Sequence, residues 1–167
     1  MHIKSSRLIW IACICLFMIS GCSQSNNQST ENTDLFQYKN SFVGDNSAVS
    51  HILNGLPLSG SLTSFELATE EEPYGILVSY NSSSVNPTTN EGFTQMVYNT
   101  TYLITLVQNV DWVQYNIGDQ TLRITREQLN EFYYNDLQNF DSTSSLEGLV
   151  SLNISRIFKF KEVIAPN

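Results

Sequence analysis

Residues 112–133 read WVQYNIGDQTLRITREQLNEFY, and this stretch decides what kind of fold the chain can adopt. From Trp112 to Ile117 the residues alternate, with Val113, Tyr115 and Ile117 on one side and Gln114 and Asn116 on the other, the period of a half-buried strand. Gly118-Asp119 is a two-residue turn of the kind that folds a strand back on its predecessor, and Thr121 to Thr125 supplies the return strand. Thr125-x-x-Gln128 is then a capping box, in which each side chain satisfies the other residue's backbone N–H. It opens a short helix with Leu129, Phe132 and Tyr133 facing inward. A hairpin that runs directly into a helix is the building unit of an α+β domain.

The same alternation of units extends outward. Phe93, Met96, Val97, Thr100, Leu103, Ile104 and Val107 recur at helical spacing, although the β-branched residues of 100–107 compete for a strand. Before them, Asn81 to Asn90 is a Ser/Asn/Pro/Thr loop. Leu62 to Ala68 and Gly75 to Tyr80 read as strands joined by the polar turn Glu70-Glu71-Glu72-Pro73. Asp45-Asn46 predicts a helix cap followed by Val49, Ile52 and Leu53 on one face, with Asn54-Gly55 as a left-handed stop. Ser144-x-x-Glu147 predicts a last helix, striped by Leu146, Leu149, Val150, Ile154, Ile157 and Phe158, with Lys159 and Lys161 at the end that suits its dipole. The expected fold is a single α+β domain, antiparallel hairpins packed against about four helices.

The N-terminus has a different character. Lys4 and Arg7 precede an unbroken apolar run from Leu8 to Ile19, too short for the roughly 20 residues of a membrane span. The run closes on Ile19-Ser20-Gly21-Cys22, which resembles the lipobox of bacterial lipoproteins. The resemblance implies diacylglyceryl transfer to Cys22, cleavage between Gly21 and Cys22, and a location on the extracytoplasmic face of the cell membrane. Two acyl chains anchor stably where one does not. Ser23 to Asp34 contains no apolar residue and reads as a disordered tether. The expected division is a signal peptide over 1–21, a lipidated tether over 22–34 and the domain over 35–167.

A second resemblance covers most of residues 38–137. The stretch from Tyr38 through Gly44-Asp45-Asn46 to Val49, followed by Ile52-Leu53 and Leu56-Pro57, is similar to the opening of an uncharacterised extracellular family, domain of unknown function 4825. Glu72 to Ile76, Asn99 to Val107, and Thr125 to Leu129 with Phe132-Tyr133 resemble further pieces of it. The family occurs in envelope lipoproteins and as the extracellular part of sensor-type membrane peptidases. The resemblance therefore implies sensing or binding and transfers no catalytic residue.

Chemistry is sparse. Without Lys4 and Arg7 the chain keeps six basic residues against sixteen acidic ones, which repels phosphate backbones, so nucleic acid is not an expected partner. Cys13 and Cys15 belong to the apolar run, and nothing after Cys22 carries a thiol. The one histidine beyond the signal is His51, off the apolar stripe of its helix, with no Gly-x-Ser-x-Gly elbow to pair with it. Three zinc ligands cannot be assembled, and no GxGxxG or Walker loop occurs. Neither a metal nor a cofactor is expected.

Glu70, Glu71 and Glu72 are adjacent acids without EF-hand spacing. Gly44-Asp45-Asn46 is readable as an anion-contacting loop, but a glycine turn followed by a helix cap explains all three residues. Trp112, Tyr115, Phe132, Tyr133, Tyr134 and Phe140 could line a groove, yet most fall on faces the core needs. The expected function is a non-catalytic binding or sensing module of the cell envelope, held to the membrane by lipid on Cys22 and recognising an envelope protein, peptide or wall component. The alternative is a small carboxylate-dependent hydrolase acting on envelope material.

Overall fold

The computed structural model describes residues 34–164; Gly21, Cys22, the signal segment and all of the tether except Asp34 lie outside the described residues. Asp34 itself caps the 3-10 turn Leu35–Tyr38, its carboxylate accepting the Phe36 N–H and the Thr143 hydroxyl at 3.0 Å each. Nine regular elements follow in the order α1 (Asn46–Gly55), β1 (Leu62–Ala68), β2 (Gly75–Tyr80), α2 (Asn90–Leu106), β3 (Trp112–Ile117), β4 (Gln120–Thr125), α3 (Arg126–Tyr133), α4 (Thr143–Asn153) and α5 (Ile157–Ile164). The domain is α+β, as its sequence indicates.

Both expected hairpins form. β1 and β2 pair antiparallel up to Ala68 opposite Gly75, and β3 and β4 pair from Trp112–Thr125 down to Ile117–Gln120, with Gly118 in the left-handed region at φ 59°. The hairpins are not separate, however. β2 and β3 lie side by side and parallel, from Gly75 against Trp112 to Tyr80 against Ile117, giving one mixed sheet in the order β1-β2-β3-β4. The cause is α2. It leaves the end of β2 and carries the chain back along the sheet, so β3 starts again at the end where β2 started.

Helical spacing prevails over β-branched content in α2 because tertiary burial outweighs propensity. Every residue from Asn99 to Leu106 is buried. The buried threonine hydroxyls find partners one turn back, with Thr100 on the Met96 carbonyl (2.8 Å), Thr101 on Val97 (2.8 Å) and Thr105 on Thr101 (2.7 Å). Three tyrosines then dock on consecutive helix residues. Tyr80 from β2 accepts the Asn99 amide at 3.1 Å, Tyr115 from β3 lies 2.9 Å from the Thr100 hydroxyl, and Tyr133 from α3 lies 3.1 Å from that of Thr101. Ile76, Val78, Val113, Ile117, Leu122 and Ile124 complete the sheet's core face. The opposite face, with Glu66, Ser79, Gln114, Asn116 and Arg123, is half-buried or exposed.

Three local expectations are corrected. Gly55 does not adopt a left-handed stop: α1 passes into extended Leu56, and the positive φ falls on Leu58. A side chain at Gly55 would instead strike Leu35, with an added Cβ 2.6 Å from Leu35 Cδ2. Ser144 and Glu147 form no capping box, because α4 starts at Thr143 with Ser142 at its cap position. The single C-terminal helix is two, split by the 3-10 turn Ile154–Arg156. That turn shifts the buried stripe, so Ile157 and Phe160 are buried while Ile154 and Phe158 are 52% and 44% exposed.

Candidate functional site

Gly44-Asp45-Asn46 forms a helix start. Asp45 is the cap of α1 and its carboxylate accepts the Ala48 N–H at 3.0 Å; Asn46 is the first helical residue, and Gly44 has open space around it. His51 is exposed and its ring stacks on Tyr38, 5.4 Å between centroids and 6° between planes. Glu70, Glu71 and Glu72 sit exposed in the hairpin turn. Among the described residues, every Asp and Glu is exposed except Asp111, and no three His, Cys, Asp or Glu side chains cluster as metal ligands. Asp111 is a structural clip: its carboxylate accepts the Tyr74 N–H at 3.1 Å, and its backbone bonds Tyr74 and Arg126.

The aromatic residues separate into two groups. Trp112 lies flat on Gly75, where an added Cβ would sit 2.1 Å from the indole, so only glycine fits beneath it. Its N–H donates to the Pro73 carbonyl at 2.9 Å and the Arg123 guanidinium covers the ring at 4.0 Å, which leaves no face free for a ligand to stack on. Tyr115 and Tyr133 are held by α2. Burial pushes the Tyr133 hydroxyl up to about 12 and holds Tyr115 well above the ordinary phenol value. These three belong to the scaffold.

Phe132, a buried core residue, and the exposed Tyr134 line an open cleft of about 310 Å³ between α3 and α5. Phe132 stacks on Phe160 at 4.7 Å to make its floor. Above the floor, the Arg156 guanidinium lies 5.0 Å from the Phe132 ring and 5.0 Å from the Tyr134 ring, a cation held between two aromatic groups. Lys159 adds a second positive charge, Val163 an exposed apolar wall and Glu131 the acidic rim. Tyr134 is 81% exposed and takes the left-handed C-cap position of α3, at φ 54°. Glycine or asparagine normally fills such a cap, and here Asn135 comes one place too late. Arg156 was invisible in the sequence, since a continuous helix gave it no reason to turn toward α3. It does so because it closes the 3-10 turn between α4 and α5.

Two other cations are committed to a different task. The C-terminal end of α2 presents unpaired carbonyls in the interior. Lys39 donates to Thr105 at 2.7 Å and to Gln138 at 3.0 Å, while the Gln138 amide donates to Ile104. Arg126 spreads over Ile104 (3.4 Å), Val107 (3.2 Å), Gln108 (3.1 Å) and Val110 (3.0 Å from Nε). Burial lowers the proton affinity of both groups, partly offset for Lys39 by Asp136 and for Arg126 by Asp111 and Asp136. The negative end of the helix dipole is thereby neutralised by side chains from distant segments.

The model of a family described as Domain of unknown function (DUF4825) matches residues 35–130. The match runs from the first turn through α1, the sheet and α2 into α3, and so includes Lys39, Tyr80, Tyr115 and Arg126; Arg156 and α5 follow it. No curated protein and no solved structure matches the chain.

Proposed function

This chain belongs to the DUF4825 family, and on that premise we propose that it is a membrane-anchored extracytoplasmic lipoprotein whose domain binds a partner and performs no catalysis. One observation carries the binding reading: an exposed tyrosine is kept in a strained cap position, its ring beside an arginine that also lies on Phe132. Backbone strain of this kind costs about 1–3 kcal/mol and concentrates at sites that use it. Such a cleft suits an apolar group next to an anion, as in an envelope protein or peptide. The hydrolase alternative would need two carboxylates facing each other across a cleft, whereas every described Asp and Glu except Asp111 is exposed.

A photoreactive side chain in place of Tyr134 should form an adduct in the protein's own membranes that Arg156→Ala abolishes. An adduct indifferent to Arg156 would refute the cleft as the site, and cleavage of isolated envelope material would support the hydrolase instead. The anchor rests on Ile19-Ser20-Gly21-Cys22 and is tested separately. Cys22→Ala should abolish fatty-acid labelling and membrane retention; normal processing and retention in that variant would remove lipidation from the proposal.

A further inference from the structure

β4 is an edge strand, paired to β3 on one side and, among the described residues, to nothing on the other. The two-residue turn fixes which backbone groups face outward. Ile117 and Gln120 close the turn as a hydrogen-bonded pair, so Gln120, Leu122 and Ile124 bond toward β3, and Thr121, Arg123 and Thr125 point away from the sheet. Thr125 confirms the phase, since its N–H goes to the Gln128 side chain at 2.8 Å in the capping box. The N–H and C=O of Thr121 and Arg123 have no protein partner among the described residues.

Natural edges are commonly blunted by bulges or charge. The β1 edge has both, a register shift between Leu62 and Ser64 and the exposed Glu66. β4 carries the charge of Arg123 but pairs without irregularity over its whole length. Beside it lies an opening of about 310 Å³, lined by Gln120, Thr121 and Leu122 on one side and by Phe93, Lys161 and the Pro87-Thr88 loop on the other. No residue of β3 lines it. None of its lining side chains is acidic. Lys161 lies 5.9 Å over the Phe93 ring and, among the described residues, hydrogen-bonds only the Thr88 carbonyl. Arg123 carries a second positive charge on the other face of the same edge.

We propose that the free edge of β4 accepts an extended acidic peptide segment as a fifth strand, setting a carboxylate of the peptide against Lys161. Backbone bonding would come from Thr121 and Arg123, and selectivity from the side chains at alternate positions. A second copy of this chain fits the edge less well. Isologous pairing of β4 with itself sets two Arg123 side chains on the same or neighbouring rungs of one sheet face, where like charges repel. The edge is a different surface from the α3–α5 cleft, and neither test reads the other.

The experiment is amide hydrogen exchange on the full chain in detergent micelles, with an end-blocked alternating valine–glutamate pentapeptide and its valine–lysine counterpart as probes. The glutamate peptide should slow exchange at Thr121 and Arg123 by about tenfold or more, as for newly formed ladder bonds. Lys161→Glu should abolish that protection and transfer it to the lysine peptide. Thr121→Pro, which deletes an outward donor and no β3–β4 bond, should also abolish it. No protection, or equal protection by both peptides, overturns the proposal. Protection that rises with protein concentration and without peptide assigns the edge to a second copy and overturns it as well. If Thr121→Pro fails to fold, the charge reversal at Lys161 decides alone.

Discussion

Replacing Arg126 with methionine tests whether the C-terminal end of α2 is held by cations from elsewhere in the chain. Methionine preserves much of the aliphatic volume and removes the guanidinium. Four carbonyls lose a donor, but their losses differ. Ile104 keeps the Gln138 amide and Val107 keeps the Val110 N–H at 3.5 Å. Gln108 is exposed, so water replaces the arginine there. Val110 is fully buried and its carbonyl becomes an orphan. An unsatisfied buried acceptor costs about 1–3 kcal/mol. Loss of a positive charge at the helix terminus adds roughly 0.3–1 kcal/mol. The expected destabilisation is about 1–4 kcal/mol, a large part of the roughly 5–15 kcal/mol that holds a domain together.

Urea unfolding followed by Trp112 fluorescence measures it, with the midpoint falling and the slope unchanged. Lys39→Met should cost less, because Thr105 keeps a 3.4 Å contact with Gln138. The double variant should depart from additivity, since both residues serve one helix end. A loss under about 0.5 kcal/mol for Arg126→Met, within the range of an ordinary surface change, would refute the reasoning. So would full restoration by Arg126→Lys, which cannot reproduce the fork of donors.

Above pH 10 the domain should lose stability. Tyr133 is raised by burial from 10.0 to about 12, so it stays protonated in the folded state over a range where the unfolded chain ionises. Its contribution is complete below pH 10 and falls by about 2–3 kcal/mol as pH approaches 12. Lys39, lowered by burial, acts in the opposite sense, so Tyr133→Phe is the necessary control: the gap between the two proteins should close and reverse on the alkaline side. A constant gap across that range would contradict the assignment. Asp45→Ala should cost about 1 kcal/mol by thermal or urea unfolding and Asp45→Asn much less, because either side-chain oxygen can take the Ala48 N–H. Unchanged stability together with lost partner binding would return Gly44-Asp45-Asn46 to a ligand-contacting role.

Local chemistry determined the elements of this protein. The Gly118-Asp119 turn, the Thr125–Gln128 capping box, the Asp45 cap and the spacing of Phe93 to Leu103 each rest on residues within a few positions of one another. Turn geometry, cap bonds and side-chain periodicity act over that range, so a sequence displays them directly. Even there, neighbours overruled the local signal at Gly55 and Ser144, where packing against Leu35 and a start at Thr143 replaced the expected stop and cap. The parallel union of the two hairpins, the commitment of Arg126 and Lys39 to α2, and the turn of Arg156 into the α3–α5 cleft were decided only by tertiary structure. Lys39 meets Thr105 across 66 positions, a contact that no periodicity encodes. Periodicity states which side of an element is apolar. Which distant cation lies nearest an unpaired carbonyl, or which ring lies beside an arginine, depends on how the layers close over the core, and that is settled by the packing of all of them at once.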